Sequence, residues 1–172
     1  MKKQFSLSRL SVICLLSSVF VLSSCGAKKT ISTATPTPIP RELVITDDQK
    51  PTIKLTPRQD GHELTLTISQ INSLFIKIEY ELIYTAVDGG LEIEKGVSGN
   101  IESKDILNGT AERKILLGTE SCTNGCKYKY DSGINGGSLN LTLITEDNQV
   151  ASLEMPFTLT SSKGKNFTIT FR

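Results

Sequence analysis

"LFIKIEYELIY", residues Leu74–Tyr84, alternates along its length. Leu74, Ile76, Ile78, Tyr80, Leu82 and Tyr84 fall on one side of an extended chain, with Lys77, Glu79 and Glu81 on the other. Side chains of a strand alternate between faces, whereas those of a helix return every 3.6 residues. Period two over so long a run predicts a central strand with one face on a core and one in water. The next residues, "VDGGL" (Val87–Leu91), supply an Asp-Gly turn into "LEIEKGV", which signals a hairpin.

The same pattern recurs on both sides. "HELTLTIS" puts Leu64, Leu66 and Ile68 on one face. Downstream come "ERKILLG", "KYKYD", "SLNLTLI", "VASLEMPFTL" and "NFTITFR"; "ELVIT" and "TIKLT" stand at the front. "EDNQ" and "SSKGKN" are turn-like joints between Ile144 and Val150 and between Leu159 and Phe167. Eight to ten short strands at close spacing predict two antiparallel sheets packed face to face. The expectation is an all-β chain with one antiparallel β-sandwich of immunoglobulin or fibronectin type over residues 41–172, with a small barrel as the alternative. The chain has no Trp, which removes one immunoglobulin hallmark.

Residues 1–40 have a different character. Lys2, Lys3 and Arg9 precede "LSVICLLSSVFVL" (Leu10–Leu22), an apolar run too short to span a bilayer, which takes about 17–25 residues. It fits the core of a secretory signal peptide. Leu22-Ser23-Ser24-Cys25 follows and resembles the lipobox of bacterial lipoproteins. That resemblance implies cleavage after residue 24, a diacylglycerol on the Cys25 thiol and a membrane anchor at the new amino terminus. Two or more acyl chains, at about 0.8 kcal/mol per buried CH₂, hold a protein stably. Gly26 leaves either the outer face of a single membrane or an outer membrane as the location. "GAKKTISTATPTPIP" (26–40) is rich in Thr and Pro and has no period. It reads, with Cys25, as a disordered linker that reaches about 45 Å if extended like polyproline.

The full chain carries a formal net charge of +1, and loss of residues 1–24 leaves about −2. No basic cluster follows Lys28-Lys29, so nucleic acid is not expected as a partner. An envelope protein or a glycan is the expected kind of partner, beside the membrane that the anchor engages.

With Cys14 lost and Cys25 acylated, Cys122 and Cys126 remain, separated by Thr-Asn-Gly. An oxidising envelope and a tight turn favour a disulfide between them. A zinc site would want two further ligands, and His62, the sole histidine, is distant in sequence. No metal or cofactor is expected apart from the lipid. The stretch Leu116–Leu143, with "GHELTL" and "IEYELIY" upstream, is similar to uncharacterised surface proteins of candidate-phylum bacteria. The similarity implies the same fold and a surface location.

A nucleophile needs a base within hydrogen-bond reach, and the sequence offers no such set. "GVSG" (96–99) lacks the spacing of a hydrolase elbow, and "GKN" (164–166) lacks the rest of a phosphate loop. Glu79 with Glu81, and Glu92 with Glu94, read as a solvated sheet face, and "TEDN" (145–148) reads as a turn without the order of a calcium loop. A chain that is not an enzyme is therefore expected, with a cell-wall glycan hydrolase or a strand-pairing assembly subunit as alternatives. Tyr128 and Tyr130 alternate with Lys127 and Lys129. Outward they would stack on sugar rings; inward, the plainer reading, they would join the core.

Overall fold

In the computed structural model, residues 40–162 and 164–172 are described. The expected signal peptide, the acylated Cys25 and the linker lie outside them. The strands are β1 (Arg41–Glu42), β2 (Thr52–Pro57), β3 (Glu63–Ser69), β4 (Phe75–Asp88), β5 (Leu91–Glu102), β6 (Ala111–Leu116), β7 (Gly118–Cys122), β8 (Cys126–Tyr130), β9 (Gly136–Thr145), β10 (Gln149–Ser162) and β11 (Lys165–Phe171). Two single 3₁₀ turns, Asp47–Gln49 and Ser103–Asp105, interrupt them.

The all-β expectation holds among these residues. β10, β9, β4 and β5 lie side by side, antiparallel throughout. β11 and β1 share the outer edge of β10, β11 antiparallel along its second half and β1 at its start. β2, β3 and β6 make a second antiparallel sheet, and β7 with β8 form a separate two-stranded arm. The pairing of β1 with β10 is parallel, a departure from the purely antiparallel expectation. "ELVIT" was expected to be a strand, yet only Arg41 and Glu42 pair before the chain turns at Asp47.

One core joins the two larger sheets. Leu64, Leu66 and Ile68 of β3, Ile78, Leu82 and Tyr84 of β4, and Leu139, Leu141 and Leu143 of β9 are all buried in it. Each set has the period of two that its sequence carries, so burial on one face explains why these residues are extended. Asp88 and Leu91 are joined through Gly89 and Gly90 at φ +59° and +85°. Both values are left-handed, as the favoured two-residue hairpin turn demands.

The alternation breaks at the start of β4. Leu74 and Ile76 were expected on the core face, but they are 42% and 40% exposed, and Phe75 is buried instead. The ladder with β9 shifts register between Phe75 and Lys77. A bulge inserts one extra residue and so reverses which parity faces the core. From Ile78 onward the expected face is restored.

This assignment predicts a contrast. Leu82→Ala leaves a cavity and should cost about 2–5 kcal/mol. Leu74→Ala, at an exposed position, should stay within about 0.5 kcal/mol of wild type. Urea unfolding of both variants measures the difference.

Candidate functional site

Between Leu117 and Asp131 the chain leaves the body. The Asp131 N–H donates to the Leu117 carbonyl at 3.0 Å, closing the base, and β7 and β8 extend beyond it. Nearly every residue of the arm is exposed. Cys122 and Cys126 face each other at its tip and are joined by a disulfide, with Cα atoms 4.1 Å apart. An isolated two-stranded hairpin is marginal in water, so a covalent tie at the tip is what keeps its register.

Residues opposite one another in the ladder share a face. Glu120 lies opposite Tyr128, and Gly118 opposite Tyr130, so both tyrosines stand on the same side as the disulfide. They are 50% and 38% exposed, which corrects the inward reading. Their rings are parallel within 6°, with centroids 5.9 Å apart. His62, in the turn before β3, stacks on Tyr130 at 4.0 Å and 5°. Three rings therefore form one stack from the turn to the arm, over a sequence distance that no local pattern reveals.

Charged groups frame the stack. The Arg58 guanidinium donates to Asp60 at 2.8 Å and lies beside the Tyr130 phenol. Asp60 also accepts the His62 backbone N–H at 3.0 Å and sits 3.6 Å from His62 Nδ1. The hydrogen bond from Arg58 and then that from His62 hold the Asp60 carboxyl at about 2. At the outer end, the Glu120 carboxylate beside Tyr128 raises the phenol above its usual range.

Asp131 ties the arm to the body. Its carboxylate accepts the Tyr84 hydroxyl at 2.8 Å and forms a close ion pair with Lys95. Burial first, and then this hydrogen bond, push the Tyr84 phenol well above the ordinary phenol value. Lys129 reaches Asp88 at 3.5 Å and Val87 bridges Ser132, so the arm sits at the end of the domain where β4 finishes.

The other residues singled out by sequence are spread apart. Glu79, Glu81, Glu92 and Glu94 are exposed on the outer face of the large sheet. Asp147 is turned onto Thr145 and Gln149 within the β9–β10 connection. His62 was read as remote from Cys122 and Cys126, yet it belongs to the arm's base. Glu120, Cys122 and Cys126 bring ligand-type atoms within 4.8 Å of one another. Glu120 Oε1 is 3.2 Å from Cys122 Sγ; a disulfide sulfur carries no proton, so this is a contact rather than a hydrogen bond. As the disulfide, the two sulfurs are not thiolates and do not act as metal ligands.

No family model and no curated protein matches the chain. Solved structures similar to it include two of low likeness. A hypothetical protein from Pyrococcus horikoshii is 14% identical, with a TM-score of 0.36, over 68% of this chain and 94% of that one. A superoxide reductase in its oxidised state is 15% identical, with a TM-score of 0.32, over 67% and 94%. The expectation that the chain is not an enzyme is corrected here. One of the chains similar to it is an enzyme. At this low similarity the likeness transfers neither a reaction nor a ligand, and no activity is assigned from it.

Two outcomes test the site. Replacing both Cys122 and Cys126 by Ser removes a closure that contributes roughly 2 kcal/mol in the chain-entropy model. Amide exchange should accelerate through β7 and β8 while the body unfolds at an unchanged urea midpoint. For Asp60, the sign follows from its lowered value. The favourable interaction is complete above the unfolded carboxyl pKa of about 3.9 and is lost as pH falls through about 2. A carbon-detected NMR titration should place the Asp60 midpoint near 2, and Arg58→Gln should move it up towards the ordinary carboxylate range.

Proposed function

We propose that this chain is an exported, lipid-anchored module of the cell envelope that binds an extracellular ligand through the ring stack on its arm. The anchor is the diacylglycerol on Cys25 in the lipobox-like Leu22-Ser23-Ser24-Cys25, at the cell membrane or an outer membrane. The observation that carries the reading is the placement of the stack relative to the chain's point of entry. Arg41 pairs with Gln149 at the start of β10, the end at which Phe75 pairs with Thr145. The arm meets Val87 and Asp88 at the other end of β4. At about 3.3 Å per residue, the fourteen residues of β4 separate the two by roughly 43 Å. A domain tethered near residue 40 thus presents Tyr128 and Tyr130 away from its tether.

The fold belonging to this reading is an immunoglobulin- or fibronectin-like β-sandwich, supported by the single core shared between two sheets. Surface proteins of candidate-phylum bacteria, which the Leu116–Leu143 stretch resembles, supply the setting. Pairing of a partner strand along the free edge of β5 is less well supported. Glu92, Glu94 and Lys95 place charges along that strand, a feature that blunts edge-to-edge association.

Cys25→Ser should shift the protein from the membrane fraction to the soluble fraction. Tyr128→Ala with Tyr130→Ala should leave it in the membrane and abolish its retention on isolated envelope material. Fractionation followed by co-sedimentation reads both, and a doubly substituted protein retained as well as wild type would overturn the ligand-binding role.

A further inference from the structure

We infer that the cleft beside the ring stack is a subsite for one uncharged pyranose ring, an inference that rests on the reading of the stack as the binding face. The cleft holds about 360 Å³ and has His62 in common with the stack. Ligand pockets span about 300–1,000 Å³, so this one suits a single ring rather than a long segment of polymer. Larger hollows of about 470, 540 and 400 Å³ lie over the outer sheet face, beside Leu74 and beside Arg172, and none of them is lined by His62, Tyr128 or Tyr130.

The lining has two chemistries. Ile134, Leu159 and Phe167 supply an apolar wall, while Asp60 and Ser161 supply oxygen atoms; Asp131 also borders the cleft, but its carboxylate is buried and turned onto Tyr84 and Lys95. A pyranose has the matching pair of properties, a face of C–H groups and a rim of hydroxyls. Phe167 is held over Gly61, where an added Cβ would stand 2.6 Å from the ring, and Gly61 itself is at φ +73°. Only glycine lets the wall and the turn come so close.

Charge narrows the ligand further. Asp60 is paired with Arg58 and Asp131 with Lys95. The Asp60 carboxylate is fixed in place, half-exposed, and keeps lone pairs that accept hydroxyl protons. Its oxygens have no proton to donate, so they offer nothing to the carboxylate of an acidic sugar. Because Arg58 already compensates it, Asp60 offers an ammonium group no unpaired charge. A fixed, neutralised acceptor beside an apolar wall selects a neutral ring. The remainder of a glycan would leave the cleft past His62 and run along Tyr130 and Tyr128.

The test titrates the full-length protein in detergent with three hexasaccharides, chitin (neutral), chitosan (cationic) and polygalacturonate (anionic), following backbone amides by NMR. The neutral probe should shift Gly61, Gly133 and Gly164, and the charged probes should bind at least tenfold more weakly. Ser161→Trp fills the mouth of the cleft from an exposed position and should weaken the neutral probe at least tenfold; Ser161→Leu serves if the larger residue prevents folding. Unchanged affinity in a folded Ser161 variant, tighter binding of either charged probe, or no binding of the neutral one would overturn the subsite. Retention on envelope material that still depends on Tyr128 and Tyr130 would, in each of those cases, leave the broader reading standing.

Discussion

The described residues are arranged around β4, which is buried on one face and paired along both edges. Its inner face, Ile78, Leu82 and Tyr84, is closed off by the β2–β3–β6 sheet, and both its edges are hydrogen-bonded, to β5 and to β9. A strand fixed on both edges and one face cannot slip by one residue without turning its apolar set into water. That constraint sets the register of the large sheet. It also brings Tyr84 to the place where its hydroxyl meets Asp131, so the core strand determines where the arm is rooted.

The link through Asp131 couples packing to the exposed site. A carboxylate taken out of water is costly unless it is paired and hydrogen-bonded, and here it has both Lys95 and Tyr84. The next residue towards the arm is Tyr130, whose ring begins the stack. Fixing Asp131 therefore fixes the strand that presents the rings. Arg58, Asp60 and His62 hold the opposite side of the same stack from an independent turn.

Much of this was legible from the residues alone, and the parts that were not have definite causes. Leu64, Leu66 and Ile68 announced a strand because burial on one face demands alternation. Asp88-Gly89 announced a turn because left-handed φ values select glycine. Cys122 and Cys126 announced a tie across Asn-Gly. The bulge at the head of β4 left no trace, since Leu74, Phe75 and Ile76 are all apolar and any of them satisfies the pattern. The parallel pairing of Arg41 and Glu42 depends on residues more than a hundred positions away. The ring stack was missed for the same reason: His62 and Tyr130 come together only after β3 and the arm have been placed, and Lys-Tyr alternation looks the same whether the tyrosines face in or out.

The arm is ordered largely by contacts of its own. Leu117 and Asp131 are already hydrogen-bonded, so the body would be closed if the chain turned there. The intervening residues contribute almost nothing to the core, yet ordering each backbone residue costs about 1–2 kcal/mol of conformational entropy. A ladder, a disulfide and stacked rings offset that cost; the first two are local to the arm, and His62 joins the third from the turn before β3. Order of this kind is not a by-product of packing the interior. It fixes a file of parallel rings at the end of the domain remote from Arg41.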